Sequence, residues 1–284
     1  MKKFVCYIIL IVFGIAFGQN ALAQYIDAPR DGFYDRTTNV ERKPIPYVYV
    51  NESDVMWSQR IWRTLDLRER ANQVFYYPTT PQEHWKNLMT VIMDALKDGE
   101  ITAYDASTTD EFIVPMSYSE VMGKLSSSEK ITLQRPYPPY EEYDTIIVRD
   151  FNTQDITTFR IKEDWFIDRK RSVMECRIIG ICPVKQDIDP NTNEIRGTLP
   201  LFWIYYPEAR QVMVNSEVFN PKNDSNRLTY DDVFWKRMFT STIYKKSNTY
   251  DRRISEYATE LDALLEAERI QNDLRLRESD MWQY

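Results

Sequence analysis

The side chains able to carry a reaction are few, and their spacing joins them into no familiar site. His84 is the single histidine of the chain, so neither a histidine triad nor a multi-histidine metal centre can be built. It falls in the first turn of an expected helix, where a surface or packing role is the plain reading. No P-loop, Gly-x-Gly-x-x-Gly, Gly-x-Ser-x-Gly or His-Glu-x-x-His pattern occurs. The 43 acidic residues do offer carboxylate pairs of the kind that cleave glycosidic bonds, and Glu163 with Asp164 beside Trp165 is the best candidate. Their adjacency on one strand gives that idea no support, and acidic residues on a solvated hairpin explain them more simply. No residue is therefore assigned a catalytic, cofactor-binding or metal-binding role.

Cys176 and Cys182 lie in one expected strand, Val173 to Cys182, and lack metal-ligand spacing. Six residues of extended chain span about 20 Å, whereas a disulfide needs Cα atoms closer than about 7 Å. Two free, buried thiols are expected unless Gly180 bends the strand sharply.

The elements that would position these residues follow from periodicity. A helix is expected from Asp54 to Arg70, with Trp57, Ile61 and Leu65 recurring at every fourth position and Trp62 widening the stripe. A second is expected from Thr80 (cap) through Pro81 and Glu83 to Gly99, with Trp85, Leu88, Met89, Ile92 and Leu96 inward. A short strand near Ile101 to Tyr104 and a small helix opened by Ser117 and Glu120 come next. Three prolines and three tyrosines make Arg135 to Tyr143 a stiff connector. Beyond it, Thr145 to Val148, Phe159 to Asp168, Val173 to Val184 and Leu199 to Tyr205 read as strands, with turns at Asp168 to Ser172 and Pro207 to Arg210. Asp187 to Thr198 reads as a loop, Thr229 caps a helix to about Phe239, and Tyr250 to about Arg277 is helical with a stripe from Ile254 to Leu265 that docks on the body or a partner. Glu266 to Tyr284 has too few apolar residues to repay ordering and is expected to be mobile. The fold class expected is α+β: a helix-rich amino-terminal half, a hairpin-built antiparallel sheet in the second half, and a carboxy-terminal helix.

Lys2 and Lys3, the apolar run Phe4 to Phe17 and Ala21-Leu22-Ala23 have the order of a secretory signal peptide, with cleavage expected between Ala23 and Gln24. Its 14 apolar residues fall short of the roughly 20 that span a bilayer. Losing Lys2 and Lys3 takes the formal charge from −7 to −9, a poor match for phosphate backbones, so nucleic acid is not an expected partner. The expected organisation is signal peptide 1–23, extended arm 24–50, helix-rich lobe 51–134, strand-rich lobe with a terminal helix 135–249, and carboxy-terminal helix with charged tail 250–284.

The arm carries Tyr25, Phe33, Tyr34, Tyr47 and Tyr49 without a helical period. Such a segment gains order by lying over the body or along another chain. Consecutive aromatics at Phe202 to Tyr206 cannot all face one side of a sheet. Trp203, Tyr205 and Tyr206, with Tyr137 and Tyr140 in the connector, complete a set of expected partner-binding residues.

Five segments together resemble the GldN/PorN family of gliding-motility and type IX secretion proteins. They are DVMWSQRIWRTLDLRER (Asp54 to Arg70), FYYPTTPQEHW (Phe75 to Trp85), RIKEDWFIDRKRSVMECRIIGICP (Arg160 to Pro183), LFWIYYPEAR (Leu201 to Arg210) and TYDDVFWKRMF (Thr229 to Phe239). The resemblance implies a non-enzymatic periplasmic component without cofactors, self-associating in a ring beneath the outer membrane. It further implies attachment through an outer-membrane lipoprotein of the same system and a link to the periplasmic part of the inner-membrane motor. The rival expectation is a cell-wall or glycan-directed enzyme or binding module, which would need an aromatic-lined groove with convergent carboxylates.

Overall fold

The computed structural model of the chain describes residues 39, 41–82, 85–107, 109–134, 137, 142–149, 151–188, 195–220, 223 and 225–281. The expected cleavage site Ala23–Gln24, His84, and the arm and connector residues Tyr25, Phe33, Tyr34 and Tyr140 lie outside them.

In chain order the strands are β1 Val55–Asp66, β2 Ala103–Asp105, β3 Pro115–Met116, β4 Ser127–Gln134, β5 Glu142–Arg149, β6 Ile156–Asp168, β7 Val173–Ile188, β8 Ile195–Pro200, β9 Phe202–Tyr205 and β10 Thr242–Lys246. The helices are α1 Gln73–Tyr76, α2 Leu88–Asp98, α3 Tyr118–Leu125, α4 Tyr206–Asn215, α5 Tyr230–Trp235 and α6 Glu260–Asp280. Eight strands form one antiparallel sheet in the order β10-β1-β6-β7-β9-β2-β3, with β8 beside β7, while β4 and β5 pair with each other. The architecture is α+β, as expected.

Several expected elements differ. Asp54 to Arg70 holds a strand, β1, in place of the expected helix. A spacing of four is even, so Trp57, Ile61 and Leu65 share a face of a strand as readily as a face of a helix. Trp62 then points to the other face, where it packs with Cys182 and Trp203. The second helix starts at Asn87 rather than Thr80, because the buried Asn87 side chain accepts the Thr90 N–H at 2.8 Å while its amide donates to the Pro78 carbonyl. Gly99 ends it with φ 75°, as its position required. Pro207 to Arg210 forms no turn. Proline is tolerated in the first turn of a helix, and α4 uses this to bury Tyr206, Ala209, Met213 and Val214 along one stripe.

The caps at Ser117 and Thr229 are both complete capping boxes. Part of the expected loop Asp187 to Thr198 is strand, since β8 pairs with the end of β7. The β6–β7 hairpin turns where expected, with the Asp168 carboxylate accepting the backbone N–H groups of Lys170 and Arg171. Within it the register shifts: Lys162 faces Gly180 but Glu163 faces Ile178, which leaves Ile179 as an extra residue. This bulge inverts the alternation of β7, so Cys176 opposite Trp165 and Cys182 opposite Arg160 end on different faces of the sheet. Both thiols are free; Cys182 is buried and Cys176 partly so. Burial pushes the Cys182 thiol up to about 12.

One face of the sheet carries the helices. Leu65, Phe159, Ile161, Ile181 and Ile204 pack under α2, α4 and α5, while Ile61, with the half-buried Trp57 and Trp165, packs under α6. The docked face of α6 is Ala267, Ile270 and Leu274, whereas Leu261, Leu264 and Leu265 are exposed. The helix therefore continues through the segment expected to be mobile, because small or scattered apolar side chains among charges still share a face at spacings of three and four.

The opposite face is crossed by the segment between β2 and β3, which forms a strap over the strands. Trp62 donates its indole N–H to Asp110, Lys162 donates to the Asp110 carbonyl at 2.6 Å, and Phe112 (φ 53°) meets Tyr104, Trp203 and Tyr205. Gly180 makes room for that ring, since a Cβ there would lie 2.5 Å from Phe112 Cζ and 3.2 Å from the Ile204 carbonyl oxygen. Gly180→Val should cost about 1–3 kcal/mol by overpacking. The check is urea unfolding, with Phe112→Ala added to the variant recovering part of the loss. A Gly180→Val midpoint equal to the parent's would contradict this packing.

Candidate functional site

Glu163 and Asp164, the expected carboxylate pair, point to opposite faces of β6 and cannot converge on one bond. Asp164 faces the strap side, in a two-pronged bridge with Arg60 at 2.6 and 2.8 Å. Glu163 lies on the helix side with no exposed surface. There Arg63 Nε donates to Glu163 Oε2 at 2.9 Å, Trp165 Nε1 donates to the same oxygen at 2.9 Å, and Arg237 Nη1 stands 2.9 Å from Oε1.

Burial raises the pKa of the Glu163 carboxyl, but the charges of Arg237 and Arg63 and the hydrogen bonds from Arg237 and Trp165 outweigh it, leaving a value below the ordinary one. For Arg63 the balance runs the other way: burial outweighs the Glu163 charge and pulls the guanidinium down. A guanidinium starts so far above neutrality that it stays charged, so the carboxylate's direction governs the cluster near pH 7. Arg63 Nη2 also donates to Gln271 Oε1 on α6 at 2.6 Å, and Arg237 Nη1 donates to Cys176 Sγ at 3.1 Å. Burial, followed by the Glu163 charge, pushes the Cys176 thiol well above its usual value, which disfavours a nucleophilic thiolate. These groups are committed to one another, and the cluster is a structural lock.

A second polar cluster seats the described part of the arm. Arg210 bridges Asp231 at 3.0 and 3.1 Å, Tyr206 donates to Asp231 at 2.9 Å, and Arg210 Nη1 donates to the Ile45 carbonyl at 2.7 Å. The Arg210 guanidinium packs against both the Tyr47 ring, 4.4 Å from its centroid, and the Trp235 ring at 5.1 Å, and these two rings stack at 5.5 Å. Arg177 adds a bond to the Val48 carbonyl at 2.6 Å, and Arg42 forms a two-pronged bridge with Asp232. Residues 41–48 thus lie over the body, one of the two places expected for the arm: guanidinium groups satisfy the Ile45 and Val48 carbonyls and cover Tyr47, while the Ile45 and Val48 side chains stay exposed. A cavity of about 350 Å³ opens between this arm, Trp165, Cys176 and Arg237.

The other expected contact residues divide. Tyr49 (83%), Tyr137 (76%) and Tyr205 (40%) are exposed. Trp203 and Tyr206 are 3% and 2% exposed, so they pack the core and are not open to a partner. Arg210, Asp231, Arg177 and Trp235 complete this seat without a local sequence signal, apart from the place of Asp231 in the first turn of a capped helix.

On the strap side a cavity of about 430 Å³ gathers Asp110, Glu111, Asp251 and Glu256. Its aromatic rings offer no open stacking platform for a sugar, because the Arg160 guanidinium sits 5.1 Å over Tyr244 and Trp203 is buried. Among the described residues, no group of three or more His, Cys, Asp or Glu side chains is placed to hold a metal ion. No helix among them is long and apolar enough to cross a membrane.

The family model described as "Gliding motility associated protein GldN" matches residues 50–283. No curated protein matches the chain.

Because the folded Glu163 carboxyl titrates below its unfolded value of about 4.3, its contribution is complete above that pH and is lost as pH falls through the folded value. Glu163→Gln should destabilise the protein at pH 7 by about 3–5 kcal/mol, the range for breaking a buried pair, and flatten the acid limb of the stability profile. Urea unfolding between pH 7 and 3 checks both; an acid limb as steep in the variant as in the parent would contradict the assignment.

Proposed function

The chain belongs to the GldN family of gliding motility associated proteins, and from this membership we propose that it is a non-enzymatic periplasmic component of the type IX secretion and gliding-motility machinery. In this reading a signal peptide is removed between Ala23 and Gln24. The mature chain joins an outer-membrane lipoprotein of the same system in a ring, and the ring connects to the periplasmic part of the inner-membrane motor. The family match over 50–283 carries the reading. Two features of the fold support it. The best candidate for acid–base work, Glu163, is held by two guanidinium groups, and exposed apolar side chains stand at Tyr49, Tyr205 and along α6. Surfaces of that kind suit association more than turnover.

Arg42 to Val48 is held on the chain's own body by Asp232, Arg210 and Arg177, so the deletion that tests the arm stops before Asn39 and leaves those contacts in place. The experiment is co-expression with the lipoprotein and size-exclusion chromatography of the solubilised complex, with the parent and with residues 24–38 deleted. A high-mass complex for the parent, diminished by the deletion, is the expected result. Full assembly of the deletion variant would remove the arm from the linkage. Hydrolysis of cell-wall polymer by the purified parent, or no complex at all, would overturn the proposal.

A further inference from the structure

Helix α6 carries two apolar faces, and only one is covered by the described residues. Ala267, Ile270 and Leu274 are 5%, 1% and 3% exposed against β10 and the sheet. At about 100° per residue, Leu261, Leu264 and Leu265 centre on the far side of the helix, roughly 150° away. They are 66%, 59% and 53% exposed. Adjacent exposed leucines on one helical face mark an interaction site, since isolated ones are ordinary and clustered ones are not.

The charges beside these leucines select the occupant. Glu260, Asp262 and Glu268 flank the patch on the same helix, and all three are exposed. The first basic residue of the helix, Arg269, is engaged by Glu266 at 2.6 Å and Asp273 at 3.7 Å. A second copy offering the same face would set carboxylates against carboxylates, which disfavours self-pairing. An anionic lipid surface is disfavoured on the same ground.

We propose that the Leu261–Leu264–Leu265 face of α6 is a docking site for a segment of another protein chain whose aliphatic residues are flanked by lysine or arginine. The leucines supply apolar burial and the acidic rim supplies orientation and selectivity. This inference goes beyond the family reading, depends on α6 alone, and holds whether or not the ring assembly does.

The probe is a labelled amphipathic helical peptide of leucine and lysine, compared with its leucine and glutamate counterpart by fluorescence anisotropy on the full chain at physiological ionic strength. The lysine peptide should bind and the glutamate peptide should not. Leu264→Ser with Leu265→Ser should weaken binding about ten-fold or more, as expected for losing two apolar contacts, and should leave the melting temperature unchanged. Equal binding of the lysine peptide to that variant would show charge alone at work and overturn the proposal. Equal binding of the two peptides, or a lower melting temperature for the variant, would also overturn it. So would a dimer of the parent in sedimentation that the variant fails to form.

Discussion

A carboxylate buried in the middle of a sheet is the constraint around which this protein is arranged. Taking a charge such as Glu163 out of water costs several kcal/mol unless cations and hydrogen bonds replace the solvent. Arg63 on β1, Trp165 on β6 and Arg237 after α5 make that replacement, and Gln271 on α6 steadies Arg63. Each partner comes from a different part of the chain. Neither β1, β6 nor the segment after α5 can shift without leaving a charge stranded, and α6 is joined to them through the Gln271–Arg63 hydrogen bond.

The arm is attached to the same framework. Arg237 follows α5, whose last residue, Trp235, stacks on Tyr47, while Arg210 on α4 packs against both rings and bridges Asp231 on α5. A continuous series of guanidinium and ring contacts thus runs from the sheet to residues 42–48. The opposite face of the sheet follows a different logic. There the bulge at Ile179 and the absence of a side chain at Gly180 let Phe112 and Asp110 cross the strands, and the same bulge keeps the two cysteines on separate faces.

Local signals in the sequence were readable where a single residue type has one mechanical meaning. Ser117 and Thr229 cap helices, Gly99 ends one, and the polar turn at Asp168 to Ser172 closes a hairpin. The α+β class followed from such punctuation. Signals that two structures share are ambiguous: the spacing of Trp57, Ile61 and Leu65 suits a strand as well as a helix, and only the pairing of β1 with β6 and β10 decides it. In α6 the larger leucines drew attention, although the smaller Ala267 with Ile270 and Leu274 makes the contact. The site was less readable still. Arg63 and Glu163 are 100 positions apart and Arg237 and Glu163 are 74 apart, and a lone arginine in a sequence does not declare its carboxylate.

These interactions describe a body whose polar groups are spent on rigidity, presenting tyrosines and leucines at its surface, in keeping with a family tied to gliding motility and type IX secretion. The central claim is that Glu163 unites β1, β6, the segment after α5 and α6 into one unit. Native-state hydrogen exchange of parent and Glu163→Gln tests it most directly. The expected result is loss of protection together in the centres of β1 and β6, around Arg237 and along α6, with β2 and β3 changed little. Loss confined to β6, or spread evenly over the whole chain, would contradict the claim.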